Sequence, residues 1–412
     1  DYILVNGDML VYPRYNYSTL TAGTIELKGD FTQKHYSDYP NNFYASGTHR
    51  MLLSGDSLQT VSFTSTSSRF NVVDVKNFSE EGILFSTAAT VIELNDNGCV
   101  VAFANGEQSG WILEADQIYE GDLNLARGTL DLNGHKLTVT GTLIQSGGTV
   151  NVNGGELDVQ GDYLVQAVNG SSYTNSTGTL TMTNEADTIT VAGDFVMQSN
   201  VSHNGKLTAG TLEVGGDLIQ KGGSKYNFYT SGTHTVVLNG SEKQSISFGN
   251  DDISYSRINN LKIENTSEDG VVVSSAVYVV GNLYNTETPI TNSGNLYLSA
   301  TTKFADNEWN YDANFREAVS LQAGLNIKGW LTANGNMTLL GDASVGGTLY
   351  CDSGTLNLNG NELTVNGDVL VSRGSSNAYL NINKGKLYIN GDLRMCSTNG
   401  SYSYGYLTMK ND

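Results

Sequence analysis

Residues 128–147 read GTLDLNGHKLTVTGTLIQSG, and residues 148–167 read GTVNVNGGELDVQGDYLVQA. The two stretches align without a gap, so that Leu130 meets Val150 and the two central turns coincide. The sequence therefore repeats every 20 residues in this region. A short fixed period is typical of repeat architectures, in which each unit is stabilised mainly by its neighbours.

Each period contains three short segments in which apolar and polar residues alternate, such as TLDL, KLTV and TLIQ in the first copy. Alternation at period two places the apolar side chains on one face of a strand. Three strands per period predict a coil with three sides, and stacked coils pair each strand with its equivalent in the next coil. A hairpin meander gives no reason for a period of three strands, and a propeller blade needs about 40 residues and four strands.

The sequence therefore predicts an all-β fold, a parallel β-solenoid in the form of a three-sided β-helix. Parallel crossovers favour the right-handed form. The basic coil spans 20–24 residues, because Leu356 and Leu380 occupy equivalent positions 24 residues apart. Longer coils carry loops at a corner, where an insertion leaves the stacked strands undisturbed. About 15–18 such coils would extend for about 70–90 Å at the strand spacing.

A larger duplication overlies the coils, because LTAGTIELKGDFTQK (20–34) matches LTAGTLEVGGDLIQK (207–221). We interpret the chain as two repeat blocks, 1–188 and 189–412, the second continuous with the first. The second block gains roughly one long coil. Strand-like residues at both ends predict that the chain belongs to a longer array or stacks end to end, since open solenoid ends leave strands unpaired.

The composition excludes several classes of function. The chain has 22 Lys and Arg residues against 42 Asp and Glu residues, a formal charge of −20, which makes nucleic acid and anionic membranes poor partners. Its longest apolar stretch, VVVSSAVYVV (271–280), is about half the length that a membrane-spanning helix needs. We therefore expect no membrane-spanning segment.

The cysteines and histidines predict no metal site and no cofactor. Cys99, Cys351 and Cys396 lie far apart without metal-ligand spacing, and the histidines show none either. The cysteines are interpreted as small buried apolar residues. A bridge between Cys351 and Cys396 stays open as an alternative.

Gly-Asp and Asn-Gly pairs recur at the predicted corners. At a Gly-Asp pair, glycine would supply an unusual backbone dihedral and aspartate would bond the N–H groups that follow it. A column of these carboxylates binding Ca²⁺ is the alternative. The Asn-Gly pairs, for example at 133–134, 153–154, 366–367 and 390–391, would form ladders of stacked amides.

The stretch FADNEWNYDANFREA (304–318) is the richest in acidic and aromatic residues and lies in the additional coil. We interpret it as a loop on that coil with a structural or lateral-contact role. Glycan binding is an alternative, since aromatic rings stack on sugars and carboxylates accept hydrogen bonds from hydroxyls. Catalysis by converging acids is less favoured, and we predict that the chain is not an enzyme. The candidate contact residues are Asp306, Trp309, Tyr311, Asp312 and Phe315.

The 128–167 coils and SGTHTVVLNGSEKQSISF (231–248) resemble repeat regions of very large secreted surface proteins of anaerobic Gram-positive bacteria. More distantly, the coils are similar to the parallel β-helix shafts of filamentous-haemagglutinin-type adhesins. The resemblance implies an extracellular or cell-surface location and a role as a stalk, fibre or adhesin. It carries over no functional residues, because the shared pattern is a scaffold pattern.

The sequence thus predicts an extracellular structural rod or fibre segment of a giant surface protein, associating with itself end to end or laterally. Tyrosine-rich corners, such as KYNFY (225–229), would suit glycans or a host surface as further partners. The alternative is a carbohydrate-binding or polysaccharide-degrading β-helix protein.

Overall fold

A computed structural model describes the chain in two compact units, Asp1–Tyr229 and Thr230–Asp412. Both units are almost entirely β and are built from parallel strands stacked in successive coils, about 16 turns in all. The predicted parallel β-solenoid is therefore confirmed. The described residues are 1–12, 20–35, 41–65, 67–87, 89–97, 99–103, 111–113, 115–125, 128–169, 172–250, 252–372, 376–395 and 404–409.

The strands of the first unit are β1 (Tyr2–Val5), β2 (Met9–Val11), β3 (Thr24–Leu27), β4 (Phe31–Gln33), β5 (Arg50–Leu53), β6 (Gln59–Phe63), β7 (Arg69–Val75), β8 (Ile83–Phe85), β9 (Thr90–Asn95), β10 (Val101–Phe103), β11 (Trp111–Ile112), β12 (Gln117–Tyr119), β13 (Leu123–Leu125), β14 (Thr129–Asp131), β15 (Lys136–Val139), β16 (Leu143–Ile144), β17 (Thr149–Asn151), β18 (Glu156–Val159), β19 (Tyr163–Asn169), β20 (Ser172–Asn175), β21 (Thr179–Thr181), β22 (Thr188–Val191), β23 (Phe195–Met197), β24 (Thr211–Val214), β25 (Leu218–Gln220) and β26 (Phe228–Tyr229).

The strands of the second unit are β27 (Thr235–Leu238), β28 (Gln244–Phe248), β29 (Ser256–Arg257), β30 (Asn260–Ile263), β31 (Val271–Val273), β32 (Val277–Val279), β33 (Asn282–Leu283), β34 (Ile290–Thr291), β35 (Leu296–Leu298), β36 (Lys303–Phe304), β37 (Glu308–Trp309), β38 (Ala313–Phe315), β39 (Val319–Leu321), β40 (Asn326–Ile327), β41 (Leu331–Ala333), β42 (Met337–Leu339), β43 (Ala343–Val345), β44 (Leu349–Cys351), β45 (Gly354–Asn357), β46 (Glu362–Val365), β47 (Val369–Val371), β48 (Ala378–Asn381), β49 (Lys386–Ile389), β50 (Leu393–Arg394) and β51 (Gly405–Thr408). Two 3₁₀ turns, Ser293–Asn295 and Ala305–Asn307, lie between strands of this unit.

The strand register confirms the 20-residue period. Leu130 of β14 lies opposite Val150 of β17, and Leu137 of β15 lies opposite Leu157 of β18. The third side, β16 against β19, has the same offset. Leucines and valines at these inward positions are fully buried. Each contributes about 1.5–3 kcal/mol on burial, but only when a neighbouring coil covers it.

Insertions lie at the corner that follows the third strand. β19 continues beyond its pairing with β23 and folds back onto β20 as an antiparallel hairpin. In the second unit Leu356 lies opposite Leu380, which confirms the predicted 24-residue step. Part of that second insertion, 373–375, lies outside the described residues.

The stretch 304–318 was expected to form a loop on a long coil, and this expectation is wrong. The stretch forms β36, β37 and β38, which are walls of the solenoid. Tyr297 lies opposite Asn314, 17 residues later, and Asn314 lies opposite Thr332, 18 residues later. The first of these steps contains a corner at which Asp306 and Asn307 adopt left-handed backbone angles, φ 59° and 57°, and the second contains Gly324, whose φ is 76°.

No structural break occurs at 188/189. Thr188 begins β22, which pairs with β18 on one side and with β24 on the other. The boundary between the compact units falls instead after Tyr229 along the chain. The two repeat blocks, 1–188 and 189–412, therefore stay a prediction about sequence relationship.

The Gly-Asp corners join successive coils. Asp162 Oδ1 accepts the N–H of Asp194 at 2.8 Å, and Asp194 Oδ1 accepts the N–H of Asp217 at 2.7 Å. A Cβ atom on Gly193 would lie 2.2 Å from Asp162 Oδ1, so only glycine fits above the lower corner. The expected reason for glycine, a special dihedral, is wrong at Gly193, whose φ lies outside the left-handed region. The expected bond from the aspartate to its own turn is also replaced, because Asp162 accepts the N–H of Asp194 in the next coil.

The Asn-Gly pairs serve two purposes. Asn133 and Asn153 have left-handed backbones, φ 48° and 47°, and turn one corner together with the glycine that follows. The amide ladder is present where Asn390 donates to Asn366 Oδ1 at 2.9 Å. Asn153 and Asn133 form no such ladder, because the side chain of Asn153 donates to Asp131 Oδ1 at 3.0 Å.

Candidate functional site

Two of the five predicted contact residues belong to the core. Trp309 and Phe315 are each 1% exposed. The indole N–H of Trp309 donates to the carbonyl oxygen of Asp312 at 3.0 Å, and the ring of Phe315 lies edge-on to that of Phe304. Neither ring offers a face to a sugar, so the prediction is wrong for both. Both side chains alternate inward on short strands, as the leucines do elsewhere.

The other three predicted residues lie at or near the surface. Asp306 is exposed at the tight corner, and Tyr311 is half-buried with its hydroxyl donating to the carbonyl oxygen of Thr288. Burial raises the pKa of the Tyr311 phenol. A contact role for these residues stays a prediction.

Asp312 acts as a corner link. Its Oδ1 accepts the N–H of Trp330 at 3.0 Å, and its Oδ2 accepts the hydroxyl of Ser293 at 3.3 Å. Burial raises the pKa of the carboxyl, against the lowering effect of these two bonds. The carboxylate therefore joins three successive coils.

A groove of about 490 Å³ opens on the outer face of the sheet that contains β38, β41 and β44, and we call it the Trp330 groove. Thr332 forms its floor, since it lies between two larger neighbours on adjacent strands. The remaining lining residues are Asn314, Arg316, Trp330, Asn334, Tyr350 and Asp352.

Parallel register places the lining side chains. Asn314, Thr332 and Tyr350 lie side by side on adjacent strands, because each is the central residue of its strand and points outward. Arg316 and Asp352 follow the ends of β38 and β44. The 18-residue step thus aligns Asn314, Thr332 and Tyr350 in one column. The other lining residues, Arg316, Asn334 and Asp352, each follow two positions later along the chain.

The aromatic wall is fixed from two sides. The rings of Trp330 and Tyr350 have centroids 6.1 Å apart and meet at 78°, an edge-on arrangement. Behind the indole lies Gly294, where a Cβ atom would come within 2.7 Å of the ring. The indole is therefore packed against Gly294 and Tyr350, while the backbone N–H of Trp330 donates to Asp312 Oδ1.

The polar groups of the groove are also held in place. The guanidinium of Arg316 lies 3.6 Å above the centre of the Tyr297 ring. Asn334 donates to Asn314 Oδ1 at 3.3 Å, and Asn314 donates to the carbonyl oxygen of Gly294 at 3.1 Å. One guanidinium, one carboxylate, two amides and an indole make a site suited to hydrogen bonding and stacking.

None of the five predicted contact residues lines this groove, although the stretch 304–318 contributes Asn314 and Arg316 to it. A signal for Trp330 was available, because Gly-Trp occurs at both 110–111 and 329–330. Nothing in the sequence indicated that Thr332 and Tyr350 lie side by side, because their contact depends on the register between coils.

The buried histidines and cysteines take no part in this groove. His234 is fully buried, burial lowers its pKa to about 3, and neither ring nitrogen has a hydrogen-bond partner among the described residues. Cys99 and Cys351 are buried free thiols, as expected, whereas Cys396 lies outside the described residues. Within the described ranges, no group of three or more His, Cys, Asp or Glu side chains is placed to hold a metal ion.

The chain matches no known family, no curated protein sequence and no solved structure. In the part of the chain that the structure describes, no helix has the length and apolar character needed to span a membrane.

Proposed function

We propose that the chain is a structural segment of an extracellular stalk or fibre, and that copies of it stack end to end. The observation that carries this proposal is the use of the repeated polar side chains. The Gly-Asp carboxylates, the most regular chemical groups of the sequence, accept backbone N–H groups from the next coil in both units, as at Asp162 and Asp368. Their recurrence is thus accounted for by stacking.

Buried glutamines at duplicated positions support the same role. Gln59 and Gln244 are both buried, and each accepts a glycine N–H at 2.8 Å, from Gly55 and Gly240. Gln59 also donates to the carbonyl oxygen of Leu27 in the preceding coil at 3.0 Å. Buried amides that are satisfied in this way fix one register between coils.

Exposed inward-facing residues support end-to-end association. Ile3 lies opposite the buried Ile25, yet it is 56% exposed, and Leu407 lies opposite the buried Leu380 and is 44% exposed. Elsewhere such positions are covered by the neighbouring coil. We infer that a further coil, of a longer array or of a second copy, covers them, because an added coil supplies inward residues and pairs the free strand edge.

Electron microscopy of the purified chain, with one substitution and its control, tests the association. We expect filaments with a repeat of about 4.8 Å between coils. Ile3→Lys should prevent them, because a charge would enter the apolar junction. Leu4→Lys alters the outward face of the same strand and should leave them intact. Single particles at every concentration, or filaments of Ile3→Lys equal to those of the unsubstituted chain, would contradict the association.

The location rests on the resemblance to secreted bacterial surface proteins and on the acidic surface, which keeps a protein soluble. Antibodies raised against the chain should label intact cells of its source. Labelling only after permeabilisation would refute the extracellular location and would leave the stacking test unaffected.

A further inference from the structure

We propose that the Trp330 groove binds a neutral oligosaccharide, a function that is added to stacking and does not depend on it. The groove combines an aromatic wall, a fork of N–H donors, amides and a carboxylate within about 490 Å³. That volume lies within the roughly 300–1,000 Å³ of small-molecule sites. The indole is not required by the coil, because the equivalent corner of the next coil is formed by Gly347-Thr348.

The aromatic wall suits a sugar ring. A pyranose has an apolar C–H face, which packs on the negative face of an aromatic ring. Trp330 is half-buried, whereas the other indoles, Trp111 and Trp309, are buried. The indole packs against Gly294 and edge-on to Tyr350, so that stacking of a sugar costs little conformational entropy.

The polar groups suit vicinal hydroxyls. The guanidinium of Arg316 lies over the ring of Tyr297 and forms no ion pair with a carboxylate of the described ranges, so its N–H groups are donors for a ligand. The side-chain N–H₂ of Asn334 donates to Asn314 Oδ1, so that Oδ1 of Asn334, a residue of the groove lining, is an acceptor for a ligand. The planar guanidinium of Arg316 and the amide oxygen of Asn334 together suit two adjacent hydroxyl groups of a sugar.

The charges favour a neutral ligand over an acidic one. Arg316 and Asp352 give the lining one positive and one negative group. The chain as a whole carries a formal charge of −20, which repels a polyanion. We therefore commit to a neutral glycan.

Tryptophan fluorescence measures binding at this site, because the two buried indoles are shielded from a ligand. The probes are the neutral hexaoses of cellulose, mannan, xylan and laminarin, with polygalacturonate as the acidic comparison. We expect a saturable shift with at least one neutral hexaose and a weaker response to polygalacturonate.

Two variants and a control locate the binding. Trp330→Thr removes the ring and introduces the residue found at the next coil, in the pair Gly347-Thr348, so the corner is preserved. Arg316→Ala alters an exposed side chain. Each should weaken binding at least about tenfold, measured for Trp330→Thr by affinity electrophoresis. Phe78→Ala removes an exposed ring in the other unit and should change nothing.

The proposal is overturned if no neutral hexaose binds at up to about 10 mM, tenfold above a weak Kd of about 1 mM. It is equally overturned if Trp330→Thr and Arg316→Ala, folded by circular dichroism, bind as the unsubstituted chain does. Tighter binding of polygalacturonate than of every neutral hexaose would reverse the assignment of ligand charge. The filament test is independent of all three results.

Discussion

Replacing Asp194 tests whether the Gly-Asp corners hold the coils together. Asp194 lies between two other corners: its N–H donates to Asp162 Oδ1 at 2.8 Å, and its own Oδ1 accepts the N–H of Asp217 at 2.7 Å. Alanine removes the acceptor and leaves the N–H of Asp217 unpaired in a half-buried place. We expect a loss of about 1–3 kcal/mol in the free energy of unfolding.

Asparagine at the same position separates the hydrogen bond from the charge. Its amide oxygen still accepts the N–H of Asp217, so the link between coils is preserved. It also removes one of three stacked carboxylates. We therefore expect Asp194→Asn to be at least as stable as the unsubstituted chain near pH 7.

The pH dependence has a definite sign. Burial raises the pKa of Asp194, the bond from Asp217 lowers it, and the charges of Asp217 and Asp162 raise it, with a net increase over the ordinary value. The folded state therefore binds this proton more readily than the unfolded chain. The charge of Asp194 reduces stability above the folded pKa, and this penalty disappears as the pH falls through it. The advantage of Asp194→Asn should thus be largest near pH 7 and shrink towards about pH 4.

Urea unfolding, followed by far-ultraviolet circular dichroism at several pH values, measures these differences. Asp122 provides a control, because it is exposed and accepts the N–H of Thr142 at 2.7 Å. Water can replace that bond, so Asp122→Ala should cost less than about 1 kcal/mol. Equal losses for alanine and asparagine at Asp194 would refute the role of the hydrogen bond. An advantage of asparagine that grows towards low pH would refute the electrostatic reasoning.

Two further substitutions test the packing of the coils. Gly193→Ala should cost about 1–3 kcal/mol of unfolding free energy by overpacking, because its Cβ would lie 2.2 Å from Asp162 Oδ1. Gly222→Ala is the control and should have almost no effect, because no atom lies within 4 Å of its Cβ. Equal urea midpoints for the two variants would contradict the steric argument. Burial lowers the pKa of His234 to about 3, so the unfolded chain takes up a proton on acidification that the folded chain does not. Between pH 7 and pH 5 the unsubstituted chain should therefore lose about 2 kcal/mol that His234→Phe retains, and parallel pH profiles in thermal unfolding would show the ring to be accessible.

The sequence predicted the coil correctly because the decisive information is local. The alternation in 128–167 determines which side chains point inward, and the 20-residue spacing determines what lies above them. Corners were harder to predict. Gly193 and Asp162 meet only after one coil lies on another, so the reason for the glycine could not be found within its own turn.

The candidate site shows the same division. A dense group of acidic and aromatic residues suggested a surface loop, but alternation on short strands turns Trp309 and Phe315 inward. Their burial could have been predicted from that alternation, had the coil length been known. The contact of Trp330 with Tyr350 could not, because it depends on an 18-residue step that occurs in only part of the chain.

The position of Trp330 explains how a scaffold of this kind acquires a binding groove without loss of order. The glycine before it, Gly329, lies against the carboxylate of Asp312 as other corner glycines lie against theirs, and the N–H of Trp330 occupies the usual place in the ladder. Stacking uses only the backbone of Trp330, whose carbonyl oxygen also accepts the N–H of Ala313 at 2.9 Å. The side chain is therefore free to vary, since the bond to the preceding coil is the same for tryptophan, threonine or aspartate. Selection for binding and selection for stacking thus act on different atoms of the same residue.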